Sequence, residues 1–179
     1  MFSFIFLDNV NMNELSIILV QPEIPQNTGN IIRLCANVGA ELSLVGPLGF
    51  DLNDKKLKRA HLYYDEFASV NVYDNINSCM NDYVDRRVFA VETWGSENFY
   101  SVDFSPGDVL LFGSESIGLD QSIISKVDKV LYLPMCEGSR SMNLANCVSI
   151  CLFEAWRQLE FKGATHRVCG MSFANELNQ

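Results

Sequence analysis

The chain is poor in histidine, with 2 among its 179 residues, and short of positive charge, with 13 Lys and Arg against 22 Asp and Glu for a net charge of −9. The two histidines, His61 and His166, stand in unrelated surroundings, so no Ser-His-Asp arrangement is suggested. Six cysteines, at positions 35, 79, 136, 147, 151 and 169, form no Cys-x-x-Cys pair; with so little histidine to help them, no metal site is expected. No apolar run approaches the roughly 20 residues that a membrane helix needs. The acidic balance denies the chain an overall basic surface, the usual footprint of a nucleic-acid binder. Any such footprint must be local. The clearest cluster is Lys55-Lys56-Leu57-Lys58-Arg59, with Arg33 and Arg86-Arg87 elsewhere. By itself that cluster reads first as a solvated helix face.

What is present belongs to one globular domain. Hydrophobic residues make up 48% and charged residues 20%. A chain of this length buries a full core without disulfides or metals. The expected division is a tail over residues 1–14, a domain over 15–163 and a second tail over 164–179. The opening Met1-Phe2-Ser3-Phe4-Ile5-Phe6-Leu7 is apolar but lacks a basic flank and a small-residue cleavage site, so it does not read as a signal peptide. It is a frayed tail, or it precedes a working start at Met12. Cys35, Cys147 and Cys151 fall on apolar helix faces, where cysteine acts as a small core residue. Free thiols in a reducing cytoplasm are expected.

Residues 15–20 form a branched apolar run of strand length, broken by Pro22 and Pro25. Asn27 or Thr28 then caps a helix that Gly39 ends, with Ile31, Leu34, Cys35 and Val38 inward and Asn30, Arg33 and Asn37 outward. Further strands are expected at 42–45, 69–73, 88–92, 109–112 and 130–133. Shorter helices are expected at 54–60, 76–84 and 121–126. The longest helix, 142–160, carries an apolar stripe of Leu144, Cys147, Val148, Cys151, Leu152, Ala155, Trp156 and Leu159. Strands alternating with helices imply an α/β fold, a mainly parallel sheet flanked by helices on both faces. Such sheets bind ligands beyond the carboxyl ends of their strands.

Three loops occupy those places. The first is Pro22-Glu23-Ile24-Pro25-Gln26-Asn27-Thr28-Gly29-Asn30, with Arg33 one helical turn further on. It is a helix cap beside a surface arginine, or a loop whose guanidinium reaches an anion or a hydroxyl. The second is Gly113-Ser114-Glu115-Ser116-Ile117-Gly118, a strand–glycine turn whose N–H groups face a ligand. It is neither a Walker loop nor a dinucleotide fingerprint. Its Glu115 holds a cationic or hydroxyl-bearing ligand, or caps residues 116–118. The third is Leu133-Pro134-Met135-Cys136-Glu137-Gly138-Ser139-Arg140-Ser141-Met142-Asn143. There Ser141 is a plausible helix cap, while Arg140 has no helix role.

Taken together and in this order, the three loops resemble those of the SPOUT methyltransferases, and within them the tRNA wobble-nucleotide 2′-O-methyltransferases of the TrmL type. The resemblance covers roughly residues 15–163. Its strongest stretches are residues 22–37, residues 111–119 and Ser139-Arg140-Ser141-Met142-Asn143-Leu144 with Phe153-Glu154-Ala155-Trp156-Arg157-Gln158. It implies a trefoil knot at the carboxyl end holding S-adenosylmethionine, with cofactor contacts from Val91, Thr93, Gly113, Leu133 and Ser141. It implies that Arg33 acts on the ribose hydroxyl while Asn30, Glu115 and Asn143 shape the site. It implies a homodimer acting on the anticodon stem-loop of tRNA, with no metal and no membrane. Ile117 stands where relatives often carry a polar or basic residue. Other expectations of the same residues are 2′-O-methylation at another tRNA or ribosomal RNA site, and an RNA-binding module without catalysis.

Overall fold

A computed structural model describes residues 15–52 and 70–164. The apolar opening, Met12, the helix expected at 54–60 with its basic cluster, His61, His166 and Cys169 lie outside the described residues.

The centre of the molecule is the strand β1 (Leu15–Val20), all six residues of which are buried. A strand covered on both faces is a near-continuous apolar run rather than an alternating one, and LSIILV is such a strand. Its one polar member, Ser16, donates to Glu41 Oε2 at 3.2 Å and accepts from Arg86 Nη1 at 2.8 Å. Helix α1 (Pro25–Val38) follows, then β2 (Glu41–Val45), β3 (Val70–Tyr73), α2 (Ile76–Asn81), β4 (Val88–Val91) and the two-residue β5 (Glu97–Asn98). The chain continues through a 3-10 turn (Phe99–Ser101), β6 (Asp108–Phe112), α3 (Gln121–Ile124), β7 (Lys129–Tyr132) and α4 (Leu144–Gln158). The strands form one sheet in the order β3-β2-β1-β6-β4-β7-β5, and every pairing is parallel. β6 and β7 are thus inserted between strands that precede them in the chain.

Successive strand residues face opposite sides, and two cores result. Ile17, Leu19, Phe89, Leu110 and Phe112 face α1 and α4, where Ile31, Ile32, Cys35, Val148, Cys151 and Leu152 meet them. Ile18, Val20, Val88, Ala90, Val109 and Leu111 face the side of Cys79, Tyr83 and Ile123. The α/β arrangement with helices on both faces is the expected one. Burial pushes the Cys35 thiol up to about 12, as suits a core residue. Among the described residues no helix is long and apolar enough to cross a membrane, and no group of three or more His, Cys, Asp or Glu is placed to hold a metal ion.

Several local expectations need correction. α1 begins at Pro25, not after Asn27 or Thr28, and its N-cap residue Ile24 offers no side-chain bond. Proline lacks an N–H that the first helical position does not need, and its fixed φ suits that place. Leu34 is only partly buried, and Ile32 takes its place in the core. α4 starts at Leu144 and is capped by Asn143, whose Oδ1 accepts from Asn146 N; Ser141 stands ahead of the helix and is not its cap. Gly39 does end α1, at φ 77° with its N–H on the Cys35 carbonyl. Arg86 and Arg87 belong to the fold rather than to a free basic patch. Arg86 lies 3.7 Å from Glu41, and Arg87 grips buried Asp108 with two bonds of 2.8 and 2.6 Å.

Candidate active site

Because the sheet is parallel, the carboxyl ends of β1, β6, β4 and β7 share one edge, and their loops surround a cleft of about 480 Å³. That lies within the range of small-molecule sites. Val91, Thr93, Gly113, Glu115, Leu133, Ser141 and Asn143 all line it. So do Glu92, Trp94, Asn27, Met135, Met142, Leu144 and Cys147, none of which was singled out as a site residue from sequence. Asn30 and Arg33 do not line it. Asn30 is exposed and Arg33 half-buried on α1, and Arg33 is about 9 Å further along the helix axis than Asn27 at the usual rise per residue.

One chain of hydrogen bonds ties the three loops together. Asn143 Nδ2 donates to Asn27 Oδ1 at 3.0 Å, and Asn27 Nδ2 donates to Glu115 Oε1 at 2.9 Å. Asn27 is buried, so both halves of its amide must find partners. The Glu115 carboxylate also accepts from the backbone N–H of Glu23 at 2.8 Å and of Ile24 at 3.3 Å. Those groups stand at the start of α1, which has no acidic residue in its own first turn. Glu115 therefore supplies from a distant loop the negative charge and the acceptor that this helix end lacks. It does not cap its own loop, as sequence allowed. Ser116 Oγ donates to Glu23 Oε1 and completes the clasp.

The second loop is closed on itself. Gly118 N–H donates to the Ser114 carbonyl at 3.0 Å. A Cβ on Gly113 would stand 2.6 Å from Gly118 Cα, so only glycine fits this crossing. Behind it Glu92 accepts from Leu119 N–H at 2.7 Å. Burial pushes the Glu92 carboxyl above the usual carboxylate range, and the N–H groups of Leu119 and Thr93 oppose that shift. Apolar Leu133, Met135, Met142 and Leu144 form the remaining wall.

A cleft beyond parallel strand ends, floored by a glycine crossing and walled by three interlocked loops, defines a small-ligand site of an α/β enzyme. The family described as SpoU rRNA Methylase matches residues 14–153, and the chain belongs to that family. The tRNA (cytidine(34)-2′-O)-methyltransferase of Methylovorus glucosotrophus (strain SIP3-4) is 49% identical over 150 residues, covering 83% of this chain and 97% of that protein. The protein of the same name from Escherichia coli (strain K12) is 44% identical over 155 residues, covering 86% and 99%. A solved structure from work on the 2-OH methylation of C/U34 on tRNA superposes with TM-score 0.78 at 40% identity, over 83% of this chain and 98% of that one. The SpoU methyltransferase AviRb of Streptomyces viridochromogenes, solved with AdoMet, superposes with TM-score 0.72 at 25% identity, over 83% and 58%.

Proposed function

We propose that the chain methylates the ribose 2′-hydroxyl of the tRNA wobble nucleotide, C34 or U34, using S-adenosylmethionine. The observation that carries this reading is the loop clasp Asn143–Asn27–Glu115 around a cleft whose described lining holds two carboxylates, Glu92 and Glu115, and no lysine or arginine. A phosphate-bearing cofactor finds no side-chain cation there, whereas a sulfonium fits the charge. Relatives named for this reaction match over nearly their whole length.

When bound, S-adenosylmethionine supplies an electrophilic methyl group on a positively charged sulfur. Val91, Thr93, Gly113, Leu133 and Ser141 would hold it. Leu133, Met135, Met142 and Leu144 exclude water from the reacting atoms. A cation held in the cleft would favour the ionised form of Glu92 against the burial that opposes it. Glu115 and Asn143 keep the loops in register through Asn27, while Asn30 borders the RNA. A guanidinium offers hydrogen-bond donors and no acceptor, so a base role is not given to Arg33. Arg33 does not line the cleft of its own chain, so the role proposed for it, positioning the ribose hydroxyl or a neighbouring phosphate and stabilising negative charge on the oxygen, requires RNA that extends from the cleft to α1.

The working unit is a cytoplasmic homodimer. Exposed Ile150, Phe153 and Phe161 on α4 and the turn after it support a partner surface there. The insertion of β6 and β7 between earlier strands supports a knotted carboxyl end. Lys55-Lys56-Leu57-Lys58-Arg59, doubled in a dimer, serves the anticodon stem. Incubating the protein with labelled cofactor and total tRNA, then mapping the label, tests the reading. Label at the ribose of nucleotide 34 is expected. Incorporation elsewhere rejects the site, and none in any RNA leaves a binding module.

A further inference from the structure

The cleft mouth carries two large apolar side chains in water. Trp94 is 56% exposed and Ile117 is 83% exposed, and both line the cleft. The other tryptophan is accounted for inside the fold: Trp156 Nε1 donates to the Lys162 carbonyl at 3.0 Å, and its ring packs edge-on against Phe153 and Phe161. The Trp94 indole has no hydrogen bond or ring contact with any described residue.

These side chains do not ride on loose loops. The Trp94 turn is pinned to β7: Glu92 N–H donates to the Leu131 carbonyl at 2.9 Å and Ser96 N–H to the Val130 carbonyl at 2.9 Å. A Cβ on Gly95 would lie 2.7 Å from Tyr132 N, so that turn sits directly on the strand. The Ile117 turn is closed by the Ser114–Gly118 bridge. The same carboxylate joins the two turns, since Glu92 Oε1 receives Leu119 N–H. Two stiff neighbouring turns therefore present an indole and a branched alkyl group at the opening of the site.

We propose that Trp94 and Ile117 form the platform on which the target nucleobase rests while its ribose enters the cleft. The inference rests on the reading of the chain as an RNA ribose methyltransferase and adds a positioning role that the reaction itself does not require. A nucleobase offers a planar π-face, which aromatic and apolar side chains hold without regard to its hydrogen-bonding edge. Cytosine and uracil share that face. The two exposed apolar side chains at this mouth suit the face of a base better than a phosphate.

The test uses the full chain carrying W156F, so that Trp94 is the only indole. It is titrated with an anticodon stem-loop RNA bearing cytidine at position 34, and with the same RNA abasic there. Quenching by the first and not by the second is expected. W94A should weaken binding of the intact RNA about tenfold or more, given the usual worth of base–aromatic stacking. W94F should restore part of that loss, and neither change should alter binding of the abasic RNA or of S-adenosylmethionine. Equal quenching by both RNAs, or equal loss of both with W94A, overturns the platform. Quenching by S-adenosylmethionine alone gives Trp94 to the cofactor and also overturns it. Failure of methyl transfer with base-dependent quenching intact rejects the enzymatic reading instead.

Discussion

Replacing Glu115 removes the group that holds the start of α1 from 92 residues away in the chain. Glu115→Ala deletes three accepted bonds, of which that to Ile24 N–H is long at 3.3 Å. A bond to a charged group contributes about 1.5–3 kcal/mol when water cannot replace it. Glu115 is only half-buried, so water restores part of this. The helix also loses an N-terminal anion, worth about 0.5 kcal/mol at a site of this exposure. A net cost of about 2–3 kcal/mol follows from these parts. At about 2–4 °C per kcal/mol for a chain of this size, Tm falls by about 5–10 °C. Glu115→Gln keeps one oxygen but turns an NH2 toward donors, and should cost about half as much. Urea unfolding should show a lower midpoint at unchanged slope. A double-mutant cycle with Asn27→Ala should give a coupling of about 1 kcal/mol, because the residues touch. If both Glu115 variants unfold within about 0.5 kcal/mol of the parent, the ordinary range of inert surface changes, then the clasp does not hold the loops and the reasoning fails.

Other outcomes follow from the same geometry. Gly113→Ala forces a methyl into the Gly118 backbone; it should destabilise the chain by about 2 kcal/mol or more and abolish cofactor binding measured by calorimetry. The raised Glu92 carboxyl favours the folded state below its ordinary value of 4.5 and loses that contribution as pH rises through the higher folded value. Glu92→Gln should therefore gain stability relative to the parent over that interval, and parallel denaturation curves at stepped pH check the sign. Asp108→Ala strips Arg87 and Ser105 N–H of a buried partner and should cost about 2–3 kcal/mol in urea unfolding. Arg33→Lys should lower methyl transfer at saturating cofactor; activity and pH profile both unchanged would remove Arg33 from the reaction.

What could be read along the chain was what adjacent residues decide. β1 and β6, Ser16 and Asp108 apart, are apolar runs because both faces are covered, and the stripe of α4 announces its own packing. The start of α1 was misplaced for the opposite reason. Its cap is Glu115, and no local pattern names a carboxylate so far away. Glu97 and Asn98 form a strand too short and polar to show any period. Asn27 was read as a cap because asparagine suits caps, yet its amide is spent on Glu115 and Asn143. Val91, Thr93, Gly113, Leu133 and Ser141 came from resemblance to a family, and the cleft brings them together. Trp94 and Glu92 carried no signal, since their meaning lies in a turn that rests on β7.

The strand order also governs when the molecule becomes functional during its own synthesis. β1 is made early, but its neighbour β6 comes much later, and the last link of the loop clasp, Asn143 to Asn27, spans 116 residues. Contacts that distant close slowly. A ribosome that has released only the first half of the chain has therefore produced no binding site, not half of one. Stalled or truncated products should therefore fail to bind the ligand. A ligand that binds only the finished fold then stabilises it by mass action, so the third loop, which arrives late, is also one that occupancy holds in place.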